Sequence, residues 1–560
     1  MSGNIITADE HGFIKKLSLA IIVIFLLIYI VPLRVAPIAI PDEARYSEIP
    51  REMIASGDWI VPHLNGLRYF EKPVMGYWLN ANSIMTFGEN GFATRFPSAL
   101  ATGISALMLF FMARRFSGGY LSAILTVSIF LSFFEVFAVG SFSVLDGPLS
   151  LFITSTMIFY FFAVLETNSL KNNLFLGLSG VSCGLSFLTK GFIAFVIPLI
   201  IIVPFMIWER RLKDLLKSLW IPALSAVLVS LPWALLIDIH EPDFWHFFFW
   251  NEHIKRFMSE GAQHKESFWY FFKLLPAAVL PWTFLIPAAW LGIRKRMFND
   301  SIMRFAICWF LFPFLFFSAS SGKLLTYILL CFPPLAVLLA AGILNYLASG
   351  RKRAFKIGAL LFTLLIFVIA MILPVFQIAG FNGLKPYSHI WKLYLFIAGL
   401  LSWALCILFS IRVPDHKMKI LLYAAAPALF LFIVHFCIPD ITIERKMPGD
   451  FLLNHRDRIS QNSIIVTDEA LMSSACWFYK RSDIYLLGNY GEFEYGINYE
   501  DSKYRHLEPD KFRNFVLQNK GTGLMTLIAR AKTYKGWRKD LPEPVFEDIN
   551  GDSGFVFAQF

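Results

Sequence analysis

Two adjacent carboxylates stand in Pro41-Asp42-Glu43-Ala44-Arg45-Tyr46, directly after the first long apolar run of the chain. Capping would use one acid: Asp42 would open a helix with Tyr46, Ile49, Met53 and Ile54 on an apolar stripe, Arg45, Glu48 and Glu52 on a polar one, and Pro50 as an interruption. That reading leaves the second acid over, and ionisable groups beside a bilayer commonly mark function. Lys72, in Tyr69-Phe70-Glu71-Lys72-Pro73, can lend a compact positive charge to a departing phosphate, or can form a surface pair with Glu71. Asp146, in Ser143-Val144-Leu145-Asp146-Gly147-Pro148, is either a turn residue or a third acid on the same surface. Lys190 and Lys323 sit at the ends of apolar runs, where one lysine alone can snorkel. Together with Asp42, Lys72 and Asp146 they favour a site for an anionic lipid.

The segment Phe244-Trp245-His246-Phe247-Phe248-Phe249-Trp250 is aromatic, and Asn251 to Phe257 after it is basic. Such a loop suits lipid head groups, with Arg256 able to grip a phosphate through two N–H groups. Glu71, His253 and His264 can in principle hold a divalent metal, although no His-x-x-x-His or matching acidic cluster accompanies them.

The elements that must position these residues are membrane helices. Of 560 residues 57% are hydrophobic and only 16% charged, and the mean hydropathy is +0.59, far outside the range of water-soluble domains. A bilayer core takes roughly 20 apolar residues per helix. About thirteen candidate spans recur, from Leu17–Leu33 to Ile420–Ile438. Lys15-Lys16 before the first would suit a signal peptide, but Val31-Pro32-Leu33-Arg34 offers no small-x-small cleavage site, so the run reads as an anchor. The expected class is therefore an all-α polytopic membrane protein, with residues 1–438 as its membrane part, loops 34–96 and 239–270, and a small α/β domain over 439–560. In that tail, strand-like runs lie at 463–467, 484–487 and 524–528, and a helix at 469–479 follows Asp468 as its cap.

Basic clusters occur at every second connection, among them Arg114-Arg115, Arg210-Arg211, Arg294-Lys295-Arg296 and Arg351-Lys352-Arg353. The positive-inside rule puts these and the amino terminus in the cytoplasm and the candidate residues with the tail on the outer face. Topology thus accounts for the net charge of +10, and nucleic-acid binding is excluded. Of the six cysteines only Cys476 lies in the polar tail, so neither a disulfide framework nor a Cys-x-x-Cys metal site is available. No Gly-rich phosphate loop, HExxH or nucleotide fingerprint is present.

Asp42-Glu43-Ala44-Arg45-Tyr46, Glu52-Met53 to His63, Glu71-Lys72-Pro73, Thr189-Lys190-Gly191, Asn251-Glu252-His253 to Gln263-His264, and Gly322-Lys323 occur here in one order. In these motifs, and over essentially its whole length, the chain resembles the transferases that move aminoarabinose from undecaprenyl phosphate to lipid A. Their broader relatives are protein mannosyltransferases and oligosaccharyltransferases. The resemblance implies a C-type glycosyltransferase fold of thirteen membrane helices, two interfacial helices in the first loop and a periplasmic α/β tail. It also implies inner-membrane placement and resistance to polymyxin and cationic peptides. By motif match, Asp42 is implied as the main catalytic acid and Asp146 as a second. Substrate contacts are expected from Glu43, Arg45, Lys72, Lys190, Arg256, Lys323 and Tyr327, and Glu71 and His253 are the candidate metal ligands. No cofactor is implied beyond that divalent ion. The implied partners are lipid-linked aminoarabinose, lipid A and membrane lipids. Transfer of another sugar, transfer to a protein, and lipid transport are the competing readings. Against transport, the unusual charges lie at helix ends instead of mid-membrane, and no repeat is visible.

Overall fold

The computed structural model describes residues 8–117, 119–255, 265–380, 384–519, 524–551 and 554–560, and only the backbone of 8–11 and 252–255. Among these residues nine helices are long and apolar enough to cross a membrane, eleven if each of two bent pairs counts as one span. The bent pairs are Tyr120–Ser132 with Phe134–Gly140, at 68°, and Tyr270–Ala278 with Trp282–Gly292, at 95°. The expected count of about thirteen is not reached by this measure. Ile193–Trp208 has only 16 residues, and Ser169–Lys190, although 22 residues long, is diluted by Asn, Ser and Gly. Apolar side chains of Arg353–Ala379 such as Ile378, Met371 and Val375 face outward, which is stable only against lipid.

The bundle has two chemically distinct ends. Helix Asp146–Leu165 has 20 residues, about 30 Å of rise, which separates them. At the Leu165 end the basic connections touch one another: Arg115 pairs with Glu166 at 3.2 Å, Arg211 donates to the Val164 carbonyl at 2.6 Å and Arg304 pairs with Glu209 at 2.9 Å. The Asp146 end carries the first loop.

That loop contains two helices, α2 (Asp42–Ser56) and α3 (Met75–Phe87), following the first membrane helix, α1 (Ala8–Phe25), and its extension to Arg34. Pro50 lies inside α2 without ending it. A proline leaves the carbonyl four residues earlier without its donor, and here the Asn80 amide of α3 fills the gap at the Tyr46 oxygen, 2.8 Å away. Asp42 does not cap α2: Pro41 holds the cap position, with no side-chain cap bond. The backbone N–H of Ala39 is instead taken by Glu43, at 3.0 Å.

Between α2 and α3 a two-residue turn, Asn65-Gly66, joins β1 (His63–Leu64) to β2 (Leu67–Arg68). Both turn residues have positive φ, 60° and 67°, the backbone that a tight hairpin requires and that Asn and Gly tolerate best. A Cβ on Gly66 would meet the Ser482 carbonyl at 2.8 Å, so glycine also allows the tail to approach. The Asn65 amide then behaves like an extra strand residue, giving a hydrogen bond to the Ile484 carbonyl at 2.8 Å and accepting one from its N–H at 3.0 Å. Arg505 donates to the Asn65 carbonyl at 2.8 Å, and Glu52 takes the N–H groups of Asn65 and Gly66 at 2.6 and 2.8 Å.

The tail folds as a six-stranded mixed sheet. Its strands are β3 (Ile465–Thr467), β4 (Tyr485–Leu487), β5 (His506–Leu507), β6 (Thr526–Arg530), β7 (Phe546–Ile549) and β8 (Phe555–Gln559), in the order β5-β4-β3-β6-β8-β7. The expected helix is Met472–Tyr479, and Asp468 accepts the Leu471 N–H ahead of it at 3.0 Å. One apolar core joins sheet, first loop and aromatic loop, with Ile49, Phe70, Tyr77, Phe244, Phe248, Met472 and Phe557 in contact as a cluster.

Candidate functional site

Asp42 ends up beside Arg45, one helical turn on, and Arg45 also pairs with Glu492 from the tail. Tyr69 completes the group: its hydroxyl lies 3.2 Å from Arg45 Nη1 and 3.2 Å from Glu492 Oε2. Arg45 and Glu492 are largely covered, at 12% and 15% exposure, while Asp42 keeps 44% and so remains open to a ligand. Burial pushes the Glu492 carboxyl up and the Arg45 cation pulls it back, with a net rise. For Arg45, burial disfavours the charge, but Glu492, Tyr69, Tyr46 and Asp42 more than restore it, and the guanidinium is held firmly protonated.

A second group forms where two antiparallel helices meet. Asp146 opens Asp146–Leu165 and Lys190 closes Ser169–Lys190, each at the helix end whose dipole suits its charge. Their side chains pair at 2.6 Å, and Lys190 Nζ stands 5.0 Å from the centre of the Tyr327 ring. Asp-Gly-Pro is thus the first turn of a helix and not a loop. The charges of both groups are felt at Tyr46, whose hydroxyl is raised by burial, drawn down by Arg45, and raised again by Asp42, Asp146 and Glu71. The Tyr46 ring itself lies under the Arg45 guanidinium, 4.9 Å from its centre, and packs 6.2 Å from the Tyr77 ring.

Lys72 donates to the Glu71 carbonyl at 2.7 Å and stands 3.9 Å from the Glu71 carboxylate. Glu71 lines a cleft of about 710 Å³ together with Asp243, Phe247, Asn251, Glu492, Tyr495 and Tyr499, among others.

Two expected substrate contacts are otherwise employed. Glu43 is fully buried, in a two-point ion pair with Arg95 at 2.6 and 2.6 Å, and it takes the N–H groups of Ala39 and Ser143 at 3.0 and 3.0 Å. Arg95 reaches on to the carbonyls of Leu33, Ala36 and Pro37. Glu43 is therefore a tie between the chain leaving α1, helix Gly91–Phe116 and the turn before Asp146, and its oxygens are spoken for. Lys323 is also buried, donating to the carbonyls of Glu266 and Ser320, and burial lowers its basicity. It fastens the segment at Glu266 to the loop before Leu325. Arg256 and His264 lie outside the described residues, as does the His253 side chain.

Among the described residues the group geometrically closest to a metal site is Glu48, Glu52 and Cys476. Its donors do not fit that role. Glu48 is clasped by Arg51 at 2.7 and 2.6 Å, and both Glu52 oxygens accept backbone N–H groups of the hairpin turn. The cation is supplied by Arg51 and the set serves docking of the tail. All six cysteines are free.

Sequence reading missed Glu492, Arg95 and Asp243. Glu492 lies 447 positions from its partner Arg45, so no local pattern connects them. Its one local signal is Gly491, whose φ of +53° turns the chain so that Glu492 points to Arg45.

The dolichyl-phosphate-mannose-protein mannosyltransferase family matches residues 15–248, and the family described as arabinosyl transferase ArnT, C-terminal domain, matches 443–557. A Shewanella sediminis protein described as undecaprenyl phosphate-alpha-4-amino-4-deoxy-L-arabinose arabinosyl transferase is 42% identical over 505 residues, 90% of this chain and 92% of its own. One of the same description from Aeromonas salmonicida is 38% identical over 520 residues, covering 92% and 94%. The crystal structure of ArnT from Cupriavidus metallidurans bound to undecaprenyl phosphate superposes with a TM-score of 0.82 over 98% of each chain at 21% identity, so the fold is shared.

Proposed function

This chain belongs to the undecaprenyl phosphate-alpha-4-amino-4-deoxy-L-arabinose arabinosyl transferase family, and on that premise we propose that it transfers 4-amino-4-deoxy-L-arabinose from undecaprenyl phosphate to a phosphate of lipid A. It does so at the periplasmic face of the inner membrane, with the amino terminus cytoplasmic, residues 1–438 as the membrane part and 439–560 as a periplasmic domain. Masking phosphate charge on lipid A weakens the attraction of polymyxin and other cationic peptides.

The observation that carries this reading is the pairing of Asp42 and Glu492 with Arg45 and of Asp146 with Lys190, charged groups held at the helix ends opposite the basic connections. In the reaction an acceptor phosphate oxygen forms the new bond to the anomeric carbon. The bond from that carbon to the carrier phosphate breaks, and its electron pair leaves with the carrier oxygen. A phosphate monoester is already ionised near neutral pH, so no base is needed to create the nucleophile. Asp42, held by Arg45 but still exposed, stabilises the positive charge that grows at the anomeric carbon. Lys72, with Arg256, meets the carrier phosphate. Lys190, fixed between Asp146 and Tyr327, gives the second phosphate a cation. Holding both lipids at one membrane surface adds orientation, a large part of the barrier in such transfers.

Purified wild-type protein given the undecaprenyl-phosphate aminoarabinose donor and lipid A is expected to yield lipid A heavier by one aminoarabinose, read by mass spectrometry. A folded enzyme that leaves the donor unconsumed would refute the assignment. A narrower expectation concerns Tyr327. Tyr327→Phe should retain near wild-type kinetics because the ring face remains over Lys190. Tyr327→Leu should raise KM for one lipid substrate about two- to thirtyfold; equal kinetics for the two variants would dismiss the ring contact.

A further inference from the structure

From the basic end of the bundle a groove of about 170 Å³ runs inward between α1 and helix His416–Ala425 with Ala428–Ile433 after it. Helix Tyr120–Ser132 packs against α1 and His416–Ala425 and forms the floor. The lining is aliphatic, from Leu17, Ile21 and Ile24 on one wall to Leu421, Leu422 and Leu431 on the other, and only three hydroxyl groups enter it. Each is used within the protein: Tyr29 donates to the Leu131 carbonyl at 2.6 Å, Ser128 to that of Ile124 at 2.9 Å and Ser132 to that of Ser128 at 2.7 Å. Water has little to bond there, and an apolar space of this size takes up hydrocarbon instead.

The mouth of the groove is cationic. Lys16 precedes the lining residue Ala20 by four positions on α1, and Lys417 precedes Leu421 by four on the facing helix. That spacing is one helical turn, so each lysine stands one turn nearer the mouth than its lining residue. Both are exposed, and neither has an ion-pair or hydrogen-bond partner among the described side chains. Lys419 is turned elsewhere, to the carbonyls of Ser410 and Ile411. Asp415, the acid next to Lys417 in this loop, is engaged as a helix cap and accepts the Met418 N–H at 2.7 Å. A free anion would have no use for the groove, and a hydrocarbon alone would have none for the lysines. The two together match a phospholipid whose head group carries net negative charge.

We propose that this groove is a site for one anionic phospholipid of the leaflet at the basic end, with an acyl chain against Ser128 and Leu131 and the phosphate held by Lys16 and Lys417. The proposal goes beyond the transferase reading and does not depend on which sugar is moved. What the lipid does there follows from the floor. Its inner end is Ser132, where Tyr120–Ser132 breaks from Phe134–Gly140. At that break Trp282 Nε1 donates to Ser132 Oγ at 2.9 Å and the Phe134 N–H to the Leu280 carbonyl at 3.0 Å, so the two bent spans are joined at the end of the groove. A seated chain completes the packing of α1 against this junction, and α1 leads through Arg34 into the segment that carries Asp42.

The test strips purified full-length protein of lipid in detergent and titrates it with phosphatidylglycerol or with phosphatidylethanolamine of the same chains, counting bound lipid by native mass spectrometry. Wild type is expected to hold one phosphatidylglycerol about tenfold or more tighter than phosphatidylethanolamine, because two lysines face its phosphate. The Lys16→Gln/Lys417→Gln double variant should bring the two affinities together. Ala20→Phe, which puts a ring into the groove, should weaken both lipids. All three positions are exposed, so the variants keep the fold. Phosphatidylglycerol should raise the unfolding temperature of wild type and of neither variant. Equal affinity of wild type for the two lipids, a preference that survives in the lysine variant, or unchanged binding to Ala20→Phe overturns the site. Displacement of the bound phosphatidylglycerol by stoichiometric undecaprenyl phosphate also overturns it, since the groove then belongs to the carrier's tail.

Discussion

Asp42→Asn is expected to abolish transfer of aminoarabinose to lipid A, by at least about 10²–10³-fold, while the protein remains inserted and folded. Asn keeps the size of Asp and can still accept from Arg45, so the local geometry survives; what disappears is the negative charge facing the anomeric carbon. Fold is preserved because Asp42 caps nothing in α2 and is 44% exposed. The measurement is product formation by mass spectrometry, next to the thermal unfolding profile of the same preparation. An unchanged profile with no product is the expected pair of results, and undiminished product would remove Asp42 from the mechanism.

The second large effect concerns stability. Glu43→Gln and Arg95→Gln, made singly, should each cost about 3–5 kcal/mol, because each leaves its partner charged and buried. Stabilities of folded proteins are on the order of 5–15 kcal/mol, so either change should sharply lower the unfolding temperature and the yield of monodisperse protein. Replacing both residues together by Gln should recover part of that loss, since no orphan charge remains. Size-exclusion profiles and thermal scans of the four proteins check this. If Glu43→Gln melts like wild type and only donor affinity drops, Glu43 contacts substrate after all and the tie to Arg95 is incidental.

These expectations show which residues local reading can sort. Asp42 and Glu43 are adjacent and chemically equivalent, and nothing in Pro41-Asp42-Glu43-Ala44-Arg45-Tyr46 says which one faces outward. The helix sets their azimuths about 100° apart, and only packing decides which azimuth is covered. Glu43 meets Arg95, 52 positions on, and Asp42 stays 44% exposed beside Arg45. Lys190 and Lys323 were equivalent in the same sense, as lysines at the ends of apolar runs. The fold gives Lys190 an acid and an aromatic ring, and gives Lys323 two backbone carbonyls. The Pro50 interruption was legible as a proline but not as harmless, because its compensation comes from Asn80 in another helix.

The membrane framework and its two polarised ends were determined by the sequence itself, since the length of an apolar run and the placement of basic connections are local properties measured against a bilayer of fixed thickness. Strand positions in the tail near 465–467 and 485–487 followed in the same way from short apolar stretches between turns. Pairings such as Arg45 with Glu492 and Asn65 with Ile484, and the acidic cleft between the aromatic loop and the tail, were decided only by tertiary structure. Each joins residues hundreds of positions apart, so no local periodicity or spacing records it. The hairpin turn that docks the tail onto the first loop is what brings these charges within contact distance.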